Sequence, residues 1–211
     1  MNRRNFLAGM TGVAMAPLFA PSVSAAPLTA ADRADIVRAE TYLNSLHTMK
    51  ARLVQSGPDG SIAEGTFYLS RPGKLRLEYD PPTPILLISN GSHLIHYDSS
   101  LKTTSHIPLE STPAGILVRP NVKLSGDVTV TAVEHAPNSL YITMIQTKDP
   151  RAGNLTLVFS EQPFGLARWG VVDGQGQQTQ VALHDAAYGM KLEDHLFVFA
   201  DPLIFGPGRR E

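Results

Sequence analysis

Between Gly65 and Tyr97 apolar and polar positions alternate with a period of two. Phe67, Leu69 and Arg71 fall on one side of the first segment, and Thr66, Tyr68 and Ser70 on the other. Pro72-Gly73 then supplies a fixed φ followed by a residue free to take a positive one, which is turn chemistry. Leu75, Leu77 and Tyr79 resume on one face, with Arg76 and Glu78 opposite, until Asp80-Pro81-Pro82 ends the segment. Ile85 to Ser89 leads into Asn90-Gly91, the strongest short hairpin signal, and Leu94 to Tyr97 returns. The pattern predicts an antiparallel sheet grown from successive hairpins. Arg71 is its odd member: period two puts a guanidinium on the face of Phe67 and Leu69, which is costly unless the charge is hydrogen-bonded.

Upstream, the period is helical. Ile36, Val37, Tyr42, Leu43 and Leu46 recur at helix spacing. Thr29 stands at the N-cap, and Asp32 takes the capping-box place usually held by Glu. Met49, Ala51 and Leu53 then alternate as a first strand, closed by the turn Gly57-Pro58-Asp59-Gly60. Leu101 to Ile107 is a short polar strand candidate. Pro108 to Val122 has no alternation; it holds the apolar run Ala114 to Val118 between Pro113 and Pro120. Ser111 or Thr112 caps a one- to two-turn helix there, with Pro113 at its first position. Such a helix in a β protein is either a lid or a permanent plug.

From Val128 strands return. They cover Val128 to Ala132, Leu140 to Gln146, Asn154 to Ser160, Leu166 to Val172 and Thr179 to His184, with a last apolar piece at Leu196 to Phe199. Regularly spaced short strands suit an all-β barrel or sandwich.

Composition narrows the function. The chain has 211 residues, a formal net charge of -1, 18% charged residues and no cysteine. One domain is the expectation. No basic excess points to nucleic acid, and disulfides, thiol catalysis and zinc-thiolate sites are excluded together. Residues 1–25 read as a cleavable signal peptide of twin-arginine type. They carry Arg3-Arg4-Asn5-Phe6-Leu7, an Ala/Gly-rich apolar run too short to span a bilayer, and Val23-Ser24-Ala25 before the cut. Two arginines also satisfy a general export signal, so the route stays open. Residues 26–205 form the single domain and 206–211 a flexible tail.

The candidate chemistry is sparse. His93 and His96 are three apart and so face opposite sides of a strand, which disfavours a shared metal. No Gly-x-Ser-x-Gly and no phosphate loop occurs. Glu64, Glu78 and Asp98 read as solvated strand ends and not as an acid/base pair. The sequence therefore predicts no enzyme, no metal and no cofactor.

Five pieces in register resemble a known family. They are Gly65-x-Phe-x-x-x-Arg-Pro-Gly-Lys-Leu-Arg-x-Glu-Tyr79 with Asn90-Gly91-x-x-Leu94-x-x-Tyr97-Asp98, then Thr112 to Leu117, Trp169-x-x-x-Asp173-x-x-Gly176, and Phe197-x-Phe199-x-x-Pro202. Together they are similar to the periplasmic outer-membrane lipoprotein carriers, the LolA-like proteins. Leu77 replaces a frequent Trp, and Asn90-Gly91 an Asp-Gly turn. The resemblance implies a mainly β fold: an open, incomplete antiparallel β-barrel of about ten strands with an N-terminal helix and a short lid helix. It implies a periplasmic carrier that shields lipoprotein acyl chains. Its donor is an inner-membrane lipoprotein-releasing ABC transporter and its recipient an outer-membrane acceptor. A carrier of another lipid or glycolipid, or a lipoprotein-sensing module, is the alternative. Arg71 matches the family's arginine and is expected to latch the lid through backbone carbonyls near 114–118. The lid residues are then Ile116, Leu117 and Val118. Alternation assigns the acyl-chain cavity to Phe67, Leu69, Leu75, Leu77, Tyr79, Leu86, Ile88 and Leu94, with plain core packing as the competing assignment for each; a one-residue register slip exchanges the faces. A monomer is the default for a carrier with an open mouth.

Overall fold

Thr29 opens helix α1 (Ala30–Ser45) with the capping box that its spacing predicts. The Asp32 N–H donates to Thr29 Oγ1 at 3.1 Å and Asp32 Oδ2 accepts the Thr29 N–H at 2.7 Å. The protein is described here by a computed structural model covering residues 27–200. The predicted signal peptide and tail lie outside the described residues. On α1 the buried stripe is Ile36, Ala39, Leu43 and then Leu46, at three- and four-residue steps. Val37 sits about 100° round the helix from Ile36 and is exposed, against the sequence expectation.

Eleven strands follow: β1 (Thr48–Ser56), β2 (Ile62–Ser70), β3 (Lys74–Tyr79), β4 (Ile85–Asn90), β5 (His93–Asp98), β6 (Thr103–Pro108), β7 (Val128–Ala136), β8 (Ser139–Gln146), β9 (Gly153–Glu161), β10 (Phe164–Asp173) and β11 (Gln178–Tyr188). Helix α2 (Pro113–Val118) stands between β6 and β7. All pairings are antiparallel, in the order β6-β5-β4-β3-β2-β1-β11-β10-β9-β8-β7. Two meanders thus flank β1, and β6 and β7 are sheet ends that do not pair with each other. The sheet is an open barrel.

It is also strongly curled. Phe67 on β2 and Trp169 on β10 are separated by β1 and β11, three strand spacings or about 14 Å in a flat sheet, yet their rings lie 5.5 Å apart. The curl faces Met49, Ala51 and Leu53 of β1 into one core with Phe67, Leu69, Leu75 and Leu77 on one side and Leu157, Phe159 and Val181 on the other. Cross-strand partners share a face, and the register pairs Phe67 with Leu77 and Leu69 with Leu75, as alternation predicts. Helices α1 and α2 fill the concavity. Tyr42 of α1 meets Phe159 and Phe164 edge-on at 6.0 and 5.7 Å.

The last apolar piece is not a strand. Asp194–Phe197 forms a 3-10 turn on the convex side. Lys74 pairs with Asp194 at 2.7 Å, Arg76 Nη1 donates to Leu196 O at 3.1 Å, and the Phe199 ring lies tilted against Tyr97 at 5.3 Å. Phe197 is buried, and Ile88 and Ile95 are buried on the same convex side. A small second core accounts for the apolar spacing that reads as strand.

Candidate functional site

The β2–β3 turn and helix α2 meet backbone to backbone. Gly73 holds φ at +82°, and a Cβ there would come within 2.9 Å of Gly91 Cα, so the two turns need glycine where they touch. The Gly73 N–H donates to Val118 O at 2.8 Å, taking up a carbonyl left over at the end of α2. Ser89, fully buried, donates from Oγ to Gly73 O at 2.7 Å and accepts the Gly91 N–H, which holds the turn in place.

Arg71 lies just past the end of β2. It reaches across to two helix ends. Nε donates to Arg119 O at 3.1 Å, and Nη2 reaches the same oxygen, Asn44 Oδ1 at 3.4 Å and Pro120 O at 3.5 Å. Nη1 donates to Leu43 O and, at 3.5 Å, to Leu46 O at the C-terminus of α1. Arg119 is the residue that caps α2. The carbonyls are therefore those just beyond the expected 114–118 window, together with a set on α1 that the sequence did not indicate. Burial pulls the Arg71 pKa down from its ordinary value. Its charge sits instead against the negative end of the α1 dipole. A rigid fork of donors suits this arrangement better than an ammonium.

Helix α2 is pressed into the concavity. Thr112 Oγ1 accepts the Gly115 N–H at 3.2 Å as the N-cap. A Cβ on Gly115 would stand 2.3 Å from Leu109 O, so the helix docks on the preceding 3-10 turn (Leu109–Ser111) through a glycine. Ile116, Leu117 and Val118 are 5%, 5% and 1% exposed, so the lid candidate is closed.

Six of the eight predicted cavity residues, Phe67, Leu69, Leu75, Leu77, Tyr79 and Leu94, do face the concavity, but as packed core. Tyr79 donates its hydroxyl to Gln55 Oε1 at 2.6 Å, and burial pushes its pKa up to about 12. Leu86 and Ile88 are a correction. They pair with Glu78 and Arg76 on the convex side, while Ile85, Leu87 and Ser89 face inward. Ile85 to Ile88 is apolar at every position, so alternation alone could not choose its inward members. The open space is elsewhere. A pocket of about 540 Å³ lies between α2 and the β7–β10 half, and Ile116, Val128, Met144, Leu155 and Val171 are among its lining residues. Of the predicted cavity and lid residues, Ile116 is the member that lines it.

A family model described as outer membrane lipoprotein carrier protein LolA matches residues 44–200. The chain belongs to the LolA family. The outer-membrane lipoprotein carrier protein of Pseudomonas aeruginosa is 30% identical over 180 residues, covering 81% of this chain and 86% of that one. That of Methylococcus capsulatus is 28% identical over 174 residues, covering 78% and 83%. Among solved structures, a LolA superfamily protein from Nitrosomonas europaea aligns at TM-score 0.43 and 10% identity, over 78% of this chain and 97% of that one. An uncharacterized conserved protein from Thermus thermophilus aligns at 0.48 and 10%, over 80% and 94%.

Within this LolA-family chain, sequence reasoning missed the residues that hold the segment after α2. Asn44 Nδ2 donates to Val122 O at 3.0 Å while its Oδ1 accepts the Val122 N–H at 2.8 Å. Glu40 Oε1 accepts the Leu124 N–H at 2.6 Å. Both side chains stand in for a strand partner, and Val122 and Leu124 are buried beside them. The available signal was spacing: Glu40 and Asn44 are four apart and share a helix face next to Leu43. On a sequence they look like any solvated helix surface.

Proposed function

We propose that this protein is a periplasmic carrier that takes lipoprotein acyl chains into the concavity of its curled sheet and moves them from the inner to the outer membrane. Membership of the LolA family supports the reading most directly. The geometry adds a means: an apolar helix, α2, held over an apolar concavity by hydrogen bonds at its end and not by a covalent or metal link. Each methylene kept from water contributes about 0.8 kcal/mol, so a multiply acylated cargo does not cross an aqueous gap unaided. Arg71 is the latch, and Ile116, Leu117 and Val118 are the lid surface that acyl chains replace. Phe67, Leu69, Leu75, Leu77, Tyr79 and Leu94 become cavity wall once α2 lifts. The donor is an inner-membrane lipoprotein-releasing transporter and the recipient an outer-membrane acceptor, with the carrier acting as a monomer and without chemistry of its own. Native mass spectrometry of the protein taken from its host periplasm tests this. A co-purifying acylated protein is the expected result; an empty protein that also ignores a synthetic triacylated lipopeptide would remove the proposal.

A further inference from the structure

The strand residues that bound the pocket and the Arg71 turn sit at opposite ends of the sheet, while Arg119 belongs to both: its side chain is on the lining and its carbonyl accepts from Arg71. Arg71 follows Ser70, which pairs with Thr48 at the start of β1. The pocket is bounded by the last residues of β8 and β10 and the first of β9, where Asp173 pairs with Gly153 and Ile145 with Asn154. Its walls are apolar in depth, at Ile116, Met144, Leu155 and Val171, and it reaches solvent at Lys148 and Glu110. Of three further charges on the lining, Arg119 and Asp127 are paired with each other, and Asp173 Oδ1 accepts the Gln175 and Gln177 N–H groups. Lys148, Glu110 and Asp173 have no ion-pair partner among the described residues, so the lining offers one free cation and two free anions, Glu110 being the one on the α2 side. The volume of about 540 Å³ is that of a site for one small ligand, room for a single acyl chain and not for a multi-chain cargo.

We infer that the closed protein has a second mode of binding: one single-chain amphiphile with a zwitterionic head, of the lysophospholipid class, enters this pocket from the end remote from the latch. The phosphate lies by Lys148 and the ammonium by Glu110. The inference goes beyond the carrier reading and rests on it only in holding that multi-chain cargo lifts α2. Binding here leaves the Gly73 N–H to Val118 O bond and the Arg71 contacts intact.

The test uses the full mature chain and palmitoyl lysophosphatidylethanolamine below its micelle concentration, beside a triacylated lipopeptide. Titration calorimetry should give one lysolipid per protein. Amide exchange at Gly73 should stay slow with the lysolipid and become fast with the lipopeptide. Lys148→Glu, on an exposed loop, should weaken lysolipid binding about tenfold, the loss of one charge-assisted contact, and leave an uncharged monoacylglycerol of the same chain length unchanged. Absence of a one-to-one complex, fast exchange at Gly73 with the lysolipid, or equal affinity in Lys148→Glu would each overturn it. If the lysolipid fails while the lipopeptide binds, this inference falls and the carrier reading stands; if both fail, the carrier reading falls as well.

Discussion

Arg71 joins three pieces of chain that are remote in sequence: its own turn, the end of α1, and the residues that leave α2. A hydrogen bond from a charged donor contributes roughly 1.5–3 kcal/mol, and less where water enters. The part-buried position of Arg71 puts the loss in Arg71→Leu at about 2 kcal/mol, a fall in Tm of about 4–8 °C for a domain of this size. The larger effect should be on transfer. Without the latch the closed, empty state loses stability, so a loaded protein gains less by releasing its cargo and closing. Arg71→Leu should still extract lipoprotein from inner membranes and deliver it poorly. Release and incorporation measured separately with the two membranes decide this, and normal delivery would return Arg71 to a purely structural part. Gly115 gives a companion prediction. Its missing Cβ lets α2 sit on Leu109 O, so Gly115→Ala should loosen the lid by more than the 1 kcal/mol or so that the change gives back through chain entropy. Thermal melts should show the loss, and an apolar dye should bind more readily to the variant.

Among the elements, α1 reaches parts of the chain remote in sequence. It is fastened by side chains: Arg38 to Glu161 at 2.7 Å and over the Phe164 ring, Asp35 to His135 at 3.1 Å, and Glu40 and Asn44 to the backbone of the segment after α2. The double change Glu40→Ala with Asn44→Ala should make the Val122 and Leu124 amides exchange quickly while the β1–β2 ladder stays protected; uniform protection in both regions would show that burial alone holds the segment. The helix start has an acid limit. The backbone N–H and hydroxyl of Thr29 hold the Asp32 carboxyl below its ordinary 3.8. A depressed folded pKa means the contribution is full above 3.8 and is lost as the pH falls from there through the lower folded value. Helix content followed by circular dichroism should therefore be flat through neutral pH and fray below about pH 4; Thr29→Ala should weaken that dependence while the backbone N–H still donates to Asp32, and Asp32→Asn should remove it. The cap was legible because it is local in sequence, as were the Pro72-Gly73 and Asn90-Gly91 turns and each alternating strand. Leu86 and Ile88 were misplaced because an all-apolar run carries no alternation. Asn44 and Glu40 stayed hidden because their partners are some eighty residues away and are backbone atoms.

The eleven strands form one curled sheet whose two halves are joined by strand pairing at β1 and β11, with two helices in the concavity. The sequence carried the openness and the short second helix through resemblance; it did not carry where the empty space lies, because which apolar residues touch each other and which face a void depends on how far the sheet curls. The wall nearest Arg71 is filled by α2, and on the proposed carrier reading multi-chain cargo displaces Ile116, Leu117 and Val118 from it. Trp169 is the chain's single tryptophan, and it stands in the concavity against Phe67. That makes it a built-in reporter for where acyl chains go. A triacylated lipopeptide with brominated chains should quench Trp169 emission on binding, because bromine quenches only at near contact and the chains would lie where α2 lay. Arg71→Leu should be quenched at lower lipopeptide concentration, since its closed state competes less well with the chains. If the lipopeptide binds in calorimetry and Trp169 emission is unchanged, the chains do not enter the concavity, and the lid mechanism is wrong even though the protein carries lipid.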